Sequence, residues 1–212
     1  MFYGQNLQDK FLFEKYFTQK REGLVIEAGA FDGVSESSSK FFEDTMGWSC
    51  INVEAYPWAY NRLCVNRPNC ENLGVGLSNT RKEFEFMQYN HPSRGPNFGN
   101  GSFSHVSWHE EELKQSGCNL EKFLVKCERY DSLIDKVVEE KYFSREVDLF
   151  VLDVEGYEIQ VIEGMSNSKF LPKVMCVEFP MVGLSALDNA LSNLGFRFDT
   201  IYANNAMYVR VA

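Results

Sequence analysis

Short apolar runs alternate with amphipathic segments along most of this chain. Four runs consist mainly of the large apolar side chains found in buried strands, and they span residues 24–26, 50–53, 147–152 and 174–179. Apolar positions recur at helical spacing in other segments, which are residues 58–66, 131–140, 157–163 and 184–194. Strands that alternate with helices predict an α/β sandwich with a mostly parallel sheet.

The two ends of the chain depart from this alternation. Residues 5–20 carry an apolar face, which predicts an N-terminal helix. Residues 196–203 and 206–211 predict two strands that flank Asn204 and Asn205. A two-residue connection of this kind is typical of an antiparallel hairpin.

Between the first two helices and the later strands the pattern is less regular. We predict further strands over residues 71–77, 83–89 and 123–127. Residues 91–102 are rich in Gly, Pro, Asn and Ser, which indicates a loop. A long loop within a compact domain is usually functional or mobile, and we expect this one to extend over residues 91–109.

Composition limits the kind of protein this is. The chain has 212 residues, of which 44% are hydrophobic, and this fits one α/β domain over residues 1–212. A net charge of −9 argues against binding to nucleic acid or to an anionic membrane, and no apolar run has the length of a membrane span. The six cysteines form no Cys-x-x-Cys pair and the first residues show no signal-peptide pattern, so we expect a reduced, cytoplasmic protein.

The glycine turn after the first apolar run predicts a nucleotide-type cofactor site. Gly29 and Gly33 let the backbone turn tightly and approach a ligand closely. The serine-rich residues 35–39 would cap the helix that follows. Glu54 lies 21 residues after Gly33, at the end of the next strand, where an acid can accept both hydroxyls of a ribose.

Charge distinguishes the cofactors that suit such a turn. A dinucleotide would bring its pyrophosphate close to Glu27 and Asp32, which would repel it. The glycines also follow Gly-x-x-x-Gly and not the dinucleotide pattern Gly-x-Gly-x-x-Gly. S-adenosylmethionine has no phosphate but carries a positive sulfonium and a positive ammonium. The acidic turn therefore favours S-adenosylmethionine over NAD, with a turn that binds no ligand as the remaining alternative.

Three segments together resemble the FkbM-type S-adenosylmethionine-dependent methyltransferases. They are residues 25–33, residues 52–57 and the Asp-Val-Glu-Gly-Tyr-Glu sequence of residues 153–158, and residues 4–11 resemble the family's N-terminal Gln-Asp segment. The resemblance implies the class I methyltransferase fold, a Rossmann-like three-layer sandwich. Its mostly parallel seven-stranded sheet has the order 3-2-1-4-5-7-6 and an antiparallel last strand, which agrees with the predicted C-terminal hairpin.

Ligands of open α/β sheets bind at the carboxyl ends of the strands, and the predicted cofactor residues follow from that rule. Glu27 and Gly29 would face the methionine half of the cofactor, and Glu54 would bind the ribose. Leu77 and Ser78 would lie near the adenine, and the helix over residues 5–20 would bring Gln8 to the methionine carboxylate. The full predicted set is Gln8, Glu27, Ala28, Gly29, Ala30, Asp32, Gly33, Glu54, Ala55, Leu77, Ser78 and Asp153.

Methyl transfer to a hydroxyl needs a group that removes the hydroxyl proton. Asp153, at the end of the strand beside the glycine turn, is the first candidate base, and Glu178 is the second. With Glu155 these two acids would also form an oxygen-rich site for Mg²⁺. His109, four residues after His105, is a further catalytic candidate, although two surface histidines fit the pattern equally well.

The resemblance implies an O-methyltransferase that acts on a hydroxyl of a sugar or glycan. The glycines and prolines of the loop at residues 91–109 preclude a regular element, and we expect this loop to lie on the acceptor side, since loops often carry specificity. Two alternatives stay open, a methyltransferase for a small non-sugar metabolite and a cofactor-binding module without catalysis. The patterns leave the acceptor and the oligomeric state unassigned.

Overall fold

The computed structural model describes residues 1–93 and 100–211, which form seven α-helices and ten strands. The helices are α1 (Gln8–Leu12), α2 (Lys40–Met46), α3 (Pro57–Asn66), α4 (Ser107–Gln115), α5 (Tyr130–Tyr142), α6 (Glu158–Glu163) and α7 (Leu184–Ser192). The strands are β1 (Leu24–Ala28), β2 (Ser49–Val53), β3 (Glu71–Leu73), β4 (Gly76–Ser78), β5 (Lys82–Asn90), β6 (Asn119–Arg129), β7 (Leu149–Leu152), β8 (Val174–Glu178), β9 (Phe196–Tyr202) and β10 (Asn205–Arg210).

The main sheet has seven strands in the order β3-β2-β1-β7-β8-β10-β9. Strands β1, β2, β3, β7 and β8 are parallel, and β10 is antiparallel to both of its neighbours. Numbered within this sheet alone, the order is 3-2-1-4-5-7-6. The fold class and strand order that the resemblance implied are therefore confirmed.

The central strands are buried on both faces, which explains their nearly continuous apolar sequences. In β1, Leu24, Ile26 and Ala28 point to one apolar cluster, whereas Val25 points to another. The first cluster includes side chains of α5, α6 and α7, and the second includes α2 and the N-terminal helical turns. The alternation of side chains along each strand thus places one helical layer on each face.

A second sheet of three strands, in the order β4-β6-β5, was not predicted. The segment at residues 71–77, predicted as one strand, is divided between β3 in the main sheet and β4 in the small one. The strands predicted at residues 83–89 and 123–127 exist, but they pair with each other as β5 and β6. Local patterns reveal strands but not their partners, and this pairing joins segments about 40 residues apart.

Other element boundaries also differ from prediction. The helix expected over residues 5–20 is three short helical pieces ending at Phe17, because Asn6 and Leu7 have positive φ angles. The helix after the glycine turn begins at Lys40, so residues 35–39 form a loop and not a helical turn. The hairpin turn is Ala203 and Asn204, one residue earlier than predicted.

The loop expected over residues 91–109 ends earlier than predicted, since α4 begins at Ser107. Residues 94–99 of that prediction lie outside the described residues. Within the part of the chain that is described, no helix is both long enough and apolar enough to cross a bilayer.

Gly29 is the point at which the glycine turn meets β7. It has a φ of +81°, and a Cβ at this position would lie 1.7 Å from the backbone oxygen of Asp153. Gly47 supplies a matched control, because it has a φ of +69° but its would-be Cβ meets no other described part of the chain within 4 Å.

We expect Gly47→Ala to lower the free energy of unfolding by about 1–2 kcal/mol, the cost of a left-handed alanine. Gly29→Ala should cost roughly 3 kcal/mol or more, because it adds a backbone clash to the same conformational penalty. Chemical denaturation of both variants measures the difference. Equal losses would show that the packing of Gly29 against Asp153 contributes nothing.

Candidate functional site

A cavity of about 550 Å³ opens at the carboxyl ends of β1, β2, β7 and β8. This is the edge at which open α/β sheets bind their ligands. One side of the cavity is polar and acidic, and the other is largely aromatic. Its acidic side chains are Glu27, Glu36, Glu54, Asp153, Glu155 and Glu178, and its aromatic ones are Phe31, Tyr56, Phe86, Phe103 and Tyr157.

Glu27, at the end of β1, fixes the loop that precedes α2. Its buried carboxylate accepts hydrogen bonds from the hydroxyls of Ser37 and Ser39, both at 2.7 Å. It also accepts the backbone N–H groups of Ser38 at 2.7 Å and Ser39 at 3.3 Å. The serines predicted to cap a helix therefore bind this acid instead. Glu27 lines the cavity, but its oxygens hold the loop in place.

Glu54, at the end of β2, holds the glycine turn to the start of α3. One carboxylate oxygen accepts the backbone N–H of Phe31 and the other accepts that of Tyr56, both at 2.7 Å. Burial raises the pKa of Glu54 to about 7, although these backbone hydrogen bonds act in the opposite direction. Each oxygen keeps a second lone pair for another donor.

Glu158 has the corresponding role in the turn after β7. Its Oε1 accepts the backbone N–H groups of Val154 at 3.0 Å and Gly156 at 3.2 Å. The turn is tight, since Glu155 has a φ of +56° and Gly156 one of +95°. Glu158 thus orients the residues of the Asp-Val-Glu-Gly segment, two of which, Asp153 and Glu155, carry carboxylates that line the cavity.

Three residues of the cavity lining have a strained backbone. Phe31, Glu36 and Glu155 are cavity-lining residues other than glycine with positive φ angles of 48°, 57° and 56°. Such conformations cost about 1–3 kcal/mol each and persist where the surroundings enforce them. Here Glu54 binds the N–H of Phe31, and Glu158 binds both neighbours of Glu155.

Asp153, Glu155 and Glu178 differ from the acids that hold the turns, Glu27, Glu54 and Glu158. They face the cavity and have few hydrogen-bond partners among the described residues. Burial raises the pKa of Asp153 to about 6, and the nearby Glu27 and Glu36 act in the same direction. Burial and the charges of Asp153 and Glu155 raise the pKa of Glu178 to about 10. The Oε2 atom of Glu178 is buried and has no hydrogen-bond partner among the described residues. At neutral pH Glu178 therefore keeps its proton, and its carboxyl is hydrogen-bonded to Asp153.

The aromatic half of the cavity combines β5 of the small sheet with turns that follow strands of the main sheet and with the segment before α4. Phe86 on β5 packs edge-on against Phe103 at 5.0 Å, and its ring is parallel to that of Tyr56. Phe103 also contacts Tyr157, which follows the Asp-Val-Glu-Gly turn. Gln88 lines the same half. The unpredicted sheet thus supplies Phe86 and Gln88 to this half of the site.

Most of the predicted cofactor residues line the cavity, namely Gln8, Glu27, Ala28, Gly29, Ala30, Glu54, Ala55, Leu77 and Asp153. Asp32, Gly33 and Ser78 lie outside its lining. The Asp32 carboxylate instead accepts hydrogen bonds from Val34 and Ser35 within its own turn. Ser78 is buried against the hydroxyl of Tyr157.

Gln8 lies at the base of the acidic half. Its side-chain amide donates to the Cys176 sulfur at 2.9 Å, and its oxygen accepts from Asn205 at 2.8 Å. These contacts tie α1 to β8 and β10, on the opposite side of the cavity from Glu54. Gln8 is therefore fixed beside the place where the cavity acids converge.

His109 does not line the cavity, although it was a catalytic candidate. It lies on α4 next to His105, with ring centres 5.6 Å apart, and burial lowers the pKa of both rings. His105 Nε2 lies 3.2 Å from the backbone oxygen of Met87, and Glu110 accepts a hydrogen bond from Tyr89. These contacts hold α4 against β5 and keep His109 out of the cavity.

The geometry does not support the predicted magnesium site. Asp153, Glu155 and Glu178 all line the cavity, but in residues 1–93 and 100–211 they do not form a group whose ligand atoms all lie within 4.8 Å of one another. Three neighbouring carboxylates that accept few hydrogen bonds would repel one another if all were ionised. Their raised pKa values favour protonation, which lowers this repulsion.

Arg67 is a supporting residue that sequence reasoning missed. Its buried guanidinium donates to the Gly33 backbone oxygen at 3.0 Å, and to the hydroxyls of Ser37 at 3.3 Å and Ser39 at 3.1 Å. Its Nε atom forms an ion pair with Glu43. Arg67 follows α3, and no local pattern indicated that it would reach back under the glycine turn.

Comparison with known proteins agrees with this fold. The Methyltransferase FkbM domain model matches residues 27–198. The FkbM methyltransferase of Methylobacillus flagellatus is similar with a TM-score of 0.55 and 13% identity, over 95% of this chain and 50% of that one. The chain thus spans half the length of that protein. No curated protein matches the sequence.

Two further solved structures are similar to the chain. Fibrillarin of Aeropyrum pernix, with natively bound S-adenosyl-L-methionine, gives a TM-score of 0.50 and 12% identity, over 97% of this chain and 74% of that one. The SAH-bound methyltransferase PaMTH1 of Podospora anserina gives a TM-score of 0.50 and 9% identity, over 98% of this chain and 79% of that one. At such identities the likeness shows the fold.

The protonated state of Glu178 predicts a pH-dependent cost to stability. Its pKa is higher in the folded protein than the value of about 4.3 in an unfolded chain, so the wild type loses stability as pH rises above about 4.5. Glu178→Gln removes this titration, and we expect it to be more stable than the wild type by on the order of 1 kcal/mol or more at pH 8. The difference should vanish near pH 4.

Urea denaturation at both pH values measures the effect. Glu83→Gln, at an exposed position on β5, is the control and should leave the pH dependence unchanged. Parallel stability curves for the wild type and Glu178→Gln would contradict the burial of a proton at this site.

Proposed function

The chain belongs to the methyltransferase FkbM family and has the class I methyltransferase fold, and we propose that it transfers a methyl group from S-adenosylmethionine to a hydroxyl of a sugar or glycan. The observation that carries this proposal is the group of three acids, Asp153, Glu155 and Glu178, that lines the cavity at the carboxyl edge of the sheet. They suit both a positively charged cofactor and the removal of a hydroxyl proton.

The cavity residues fit the cofactor by charge. S-adenosylmethionine supplies a methyl group on a positively charged sulfur and also carries an ammonium. Burial and neighbouring acids raise the pKa values of Asp153 and Glu178, so the acidic half is a place where a positive charge would be stabilised. The unpartnered Oε2 of Glu178 can accept a hydrogen bond there. A cation bound in this half would favour ionised acids and offset part of their burial cost.

Glu54 fits the ribose of the cofactor. The free lone pairs of Glu54 can accept ribose hydroxyls while its backbone hydrogen bonds stay in place. Gly29 lines the cavity and lets the glycine turn pack against the backbone of Asp153, which brings the turn and the proposed base together.

Asp153 is the proposed base. Its pKa of about 6 leaves it ionised at neutral pH yet able to take a proton, which is the range suited to general-base catalysis. Protonated Glu178 donates a hydrogen bond to Asp153 and, being neutral, does not add a second negative charge beside it. The carboxylate of Asp153 would accept the hydroxyl proton of the acceptor as the new C–O bond forms. The protein would otherwise act mainly by alignment.

The aromatic half suits the acceptor. Tyr56, Phe86 and Phe103 offer ring faces and edges that can pack against the apolar C–H surface of a sugar, and Gln88 adds an amide nearby. The same rings favour a second candidate, a small non-sugar metabolite with a planar aromatic ring. Residues 101 and 103 line the cavity, which supports an acceptor-side role for the segment that ends before α4.

Cofactor and acceptor can be tested separately. S-adenosylhomocysteine at about 100 times its Kd should stabilise the protein by about 2.7 kcal/mol in a thermal shift experiment, whereas NAD should give no shift. Transfer of a labelled methyl group should then be screened over glycans, free sugars and phenolic metabolites. Transfer to phenols alone would favour the second candidate. Cofactor binding without transfer to any acceptor would contradict both.

Glu54→Gln tests the ribose contact. The amide retains one acceptor oxygen, so the variant loses a charge-assisted acceptor worth roughly 1.5–3 kcal/mol, and affinity for S-adenosylhomocysteine should fall about tenfold or more. Calorimetry measures this directly. Glu128→Gln is the matched control, because Glu128 is buried but does not line the cavity. Equal affinities in the two variants would remove Glu54 from the binding site.

Asp153→Asn tests the base. It keeps the size of the side chain and removes the charge, so turnover should fall at least about a hundredfold. Affinity for S-adenosylhomocysteine should change much less if Asp153 acts on the acceptor hydroxyl. Glu178→Gln should retain most of the turnover at neutral pH, because Glu178 is already protonated there. Near-normal turnover in Asp153→Asn would refute the assignment.

A further inference from the structure

Cys50 and Cys70 form a thiol pair beneath the glycine turn, outside the cavity lining. Cys50 lies in β2 and Cys70 immediately precedes β3, each one residue before the paired residues Ile51 and Glu71. Their sulfur atoms and a carboxylate oxygen of Glu43 all lie within 4.8 Å of one another. Neither thiol takes part in the proposed methyl transfer.

The backbone geometry suits a covalent bond between the two sulfurs. Neighbouring strands lie about 4.8 Å apart, which is inside the Cα separation of about 4.4–6.8 Å found in disulfides. Both side chains are on the same face of the sheet, because both pack against the apolar cluster that contains Phe42 and Trp48. A disulfide here needs a change of side-chain rotamers and no change in strand register.

The two thiols have unequal environments. Cys50 is buried and its sulfur lies 3.9 Å from the backbone oxygens of Ser39 and Trp48, whereas Cys70 is only half-buried. The neighbouring Cys50 thiol and the Arg67 guanidinium lower the pKa of Cys70, against the opposing effects of burial and Glu43. The contact with Cys70 and burial raise the pKa of Cys50. One thiol is thus accessible and inclined to ionise, and the other is a protonated partner behind it.

We propose that Cys50 and Cys70 are a site of reversible oxidation, at which a peroxide converts the two thiols into a disulfide. The Cys70 thiolate attacks one peroxide oxygen, the O–O bond breaks, and Cys70 becomes a sulfenic acid with release of hydroxide, which takes a proton from solvent. The Cys50 sulfur then attacks the Cys70 sulfur and loses its proton as the S–O bond breaks and water leaves. The two thiols are oxidised and the peroxide is reduced to water.

A metal ion is the competing occupant of this cluster. Glu43 already forms an ion pair with Arg67, whose guanidinium would lie beside any bound cation. The two thiols thus have a positively charged neighbour, Arg67, which stabilises a thiolate and disfavours a bound metal ion. Arg67 also bonds to Ser37 and Ser39, which bind Glu27, so the pair is two contacts away from the cavity.

The test is treatment of the whole protein with hydrogen peroxide, followed by peptide mapping. We expect a Cys50–Cys70 cross-link with loss of two hydrogen atoms, reversed by dithiothreitol. The cross-link should raise the thermal midpoint by about 5 °C or more, because it closes a loop between two strands. Cys50→Ser should instead stop at a sulfenic acid on Cys70, which dimedone traps.

Cys64→Ser is the matched control, since Cys64 is half-buried like Cys70 but contacts the Tyr60 hydroxyl and not a second thiol. It should form the cross-link at the wild-type rate. Oxidation of Cys64 or Cys118 as fast as Cys70, or no Cys50–Cys70 link, would overturn the proposal. Stoichiometric zinc that must be removed before either thiol reacts would overturn it as well, and would assign the cluster to the metal.

Discussion

The structure depends on buried carboxylates that accept backbone N–H groups at the carboxyl edge of the main sheet. Glu27 holds the serine loop before α2, Glu54 joins the glycine turn to α3, and Glu158 closes the turn after β7. Each acid satisfies donors that would otherwise be unpaired at a turn, and hydrogen bonds to a charged acceptor are the strong ones. The positive φ angles of Phe31 and Glu155 persist because of these bonds. Strained turns therefore border the cavity, and a buried carboxylate holds each of them in place.

A second set of acids at the same edge has the opposite character. Asp153, Glu155 and Glu178 are placed by the first set but receive few donors from the described residues. Burial raises their pKa values, as it raises those of Glu54 and Glu158, and the charges of neighbouring acids add to the rise in this second set. Holding such groups together lowers the stability of the free protein, which is typical of sites whose partner is a ligand. The division between acids that build the site and acids that face it gives a physical reason for the acidity of the whole edge.

The sequence predicted much of the main sheet and part of the site. Continuous apolar runs identified β1, β7 and β8, because strands buried on both faces leave no room for polar residues. The resemblance to the FkbM family, now shown by the family match over residues 27–198, supplied the strand order. The small sheet was missed because β5 and β6 pair across a long stretch of chain, and with it the contribution of Phe86 to the cavity. Arg67 was missed for a similar reason, since its partners lie about 30 residues earlier.

The sequence by itself determined which residue types stand at the ends of the strands. The glycines, acids and serines near residues 27–39, 54 and 153–158 are properties of the chain, and the strand rule places them at one edge. Only the tertiary structure decided which acids accept hydrogen bonds from backbone N–H groups and which face the cavity. Glu27 and Asp153 look alike in sequence, each an acid at the end of an apolar strand, but the serine loop folds onto Glu27 and no comparable set of donors reaches Asp153. The number of donors that a carboxylate receives depends on distant segments, and no local pattern encodes it.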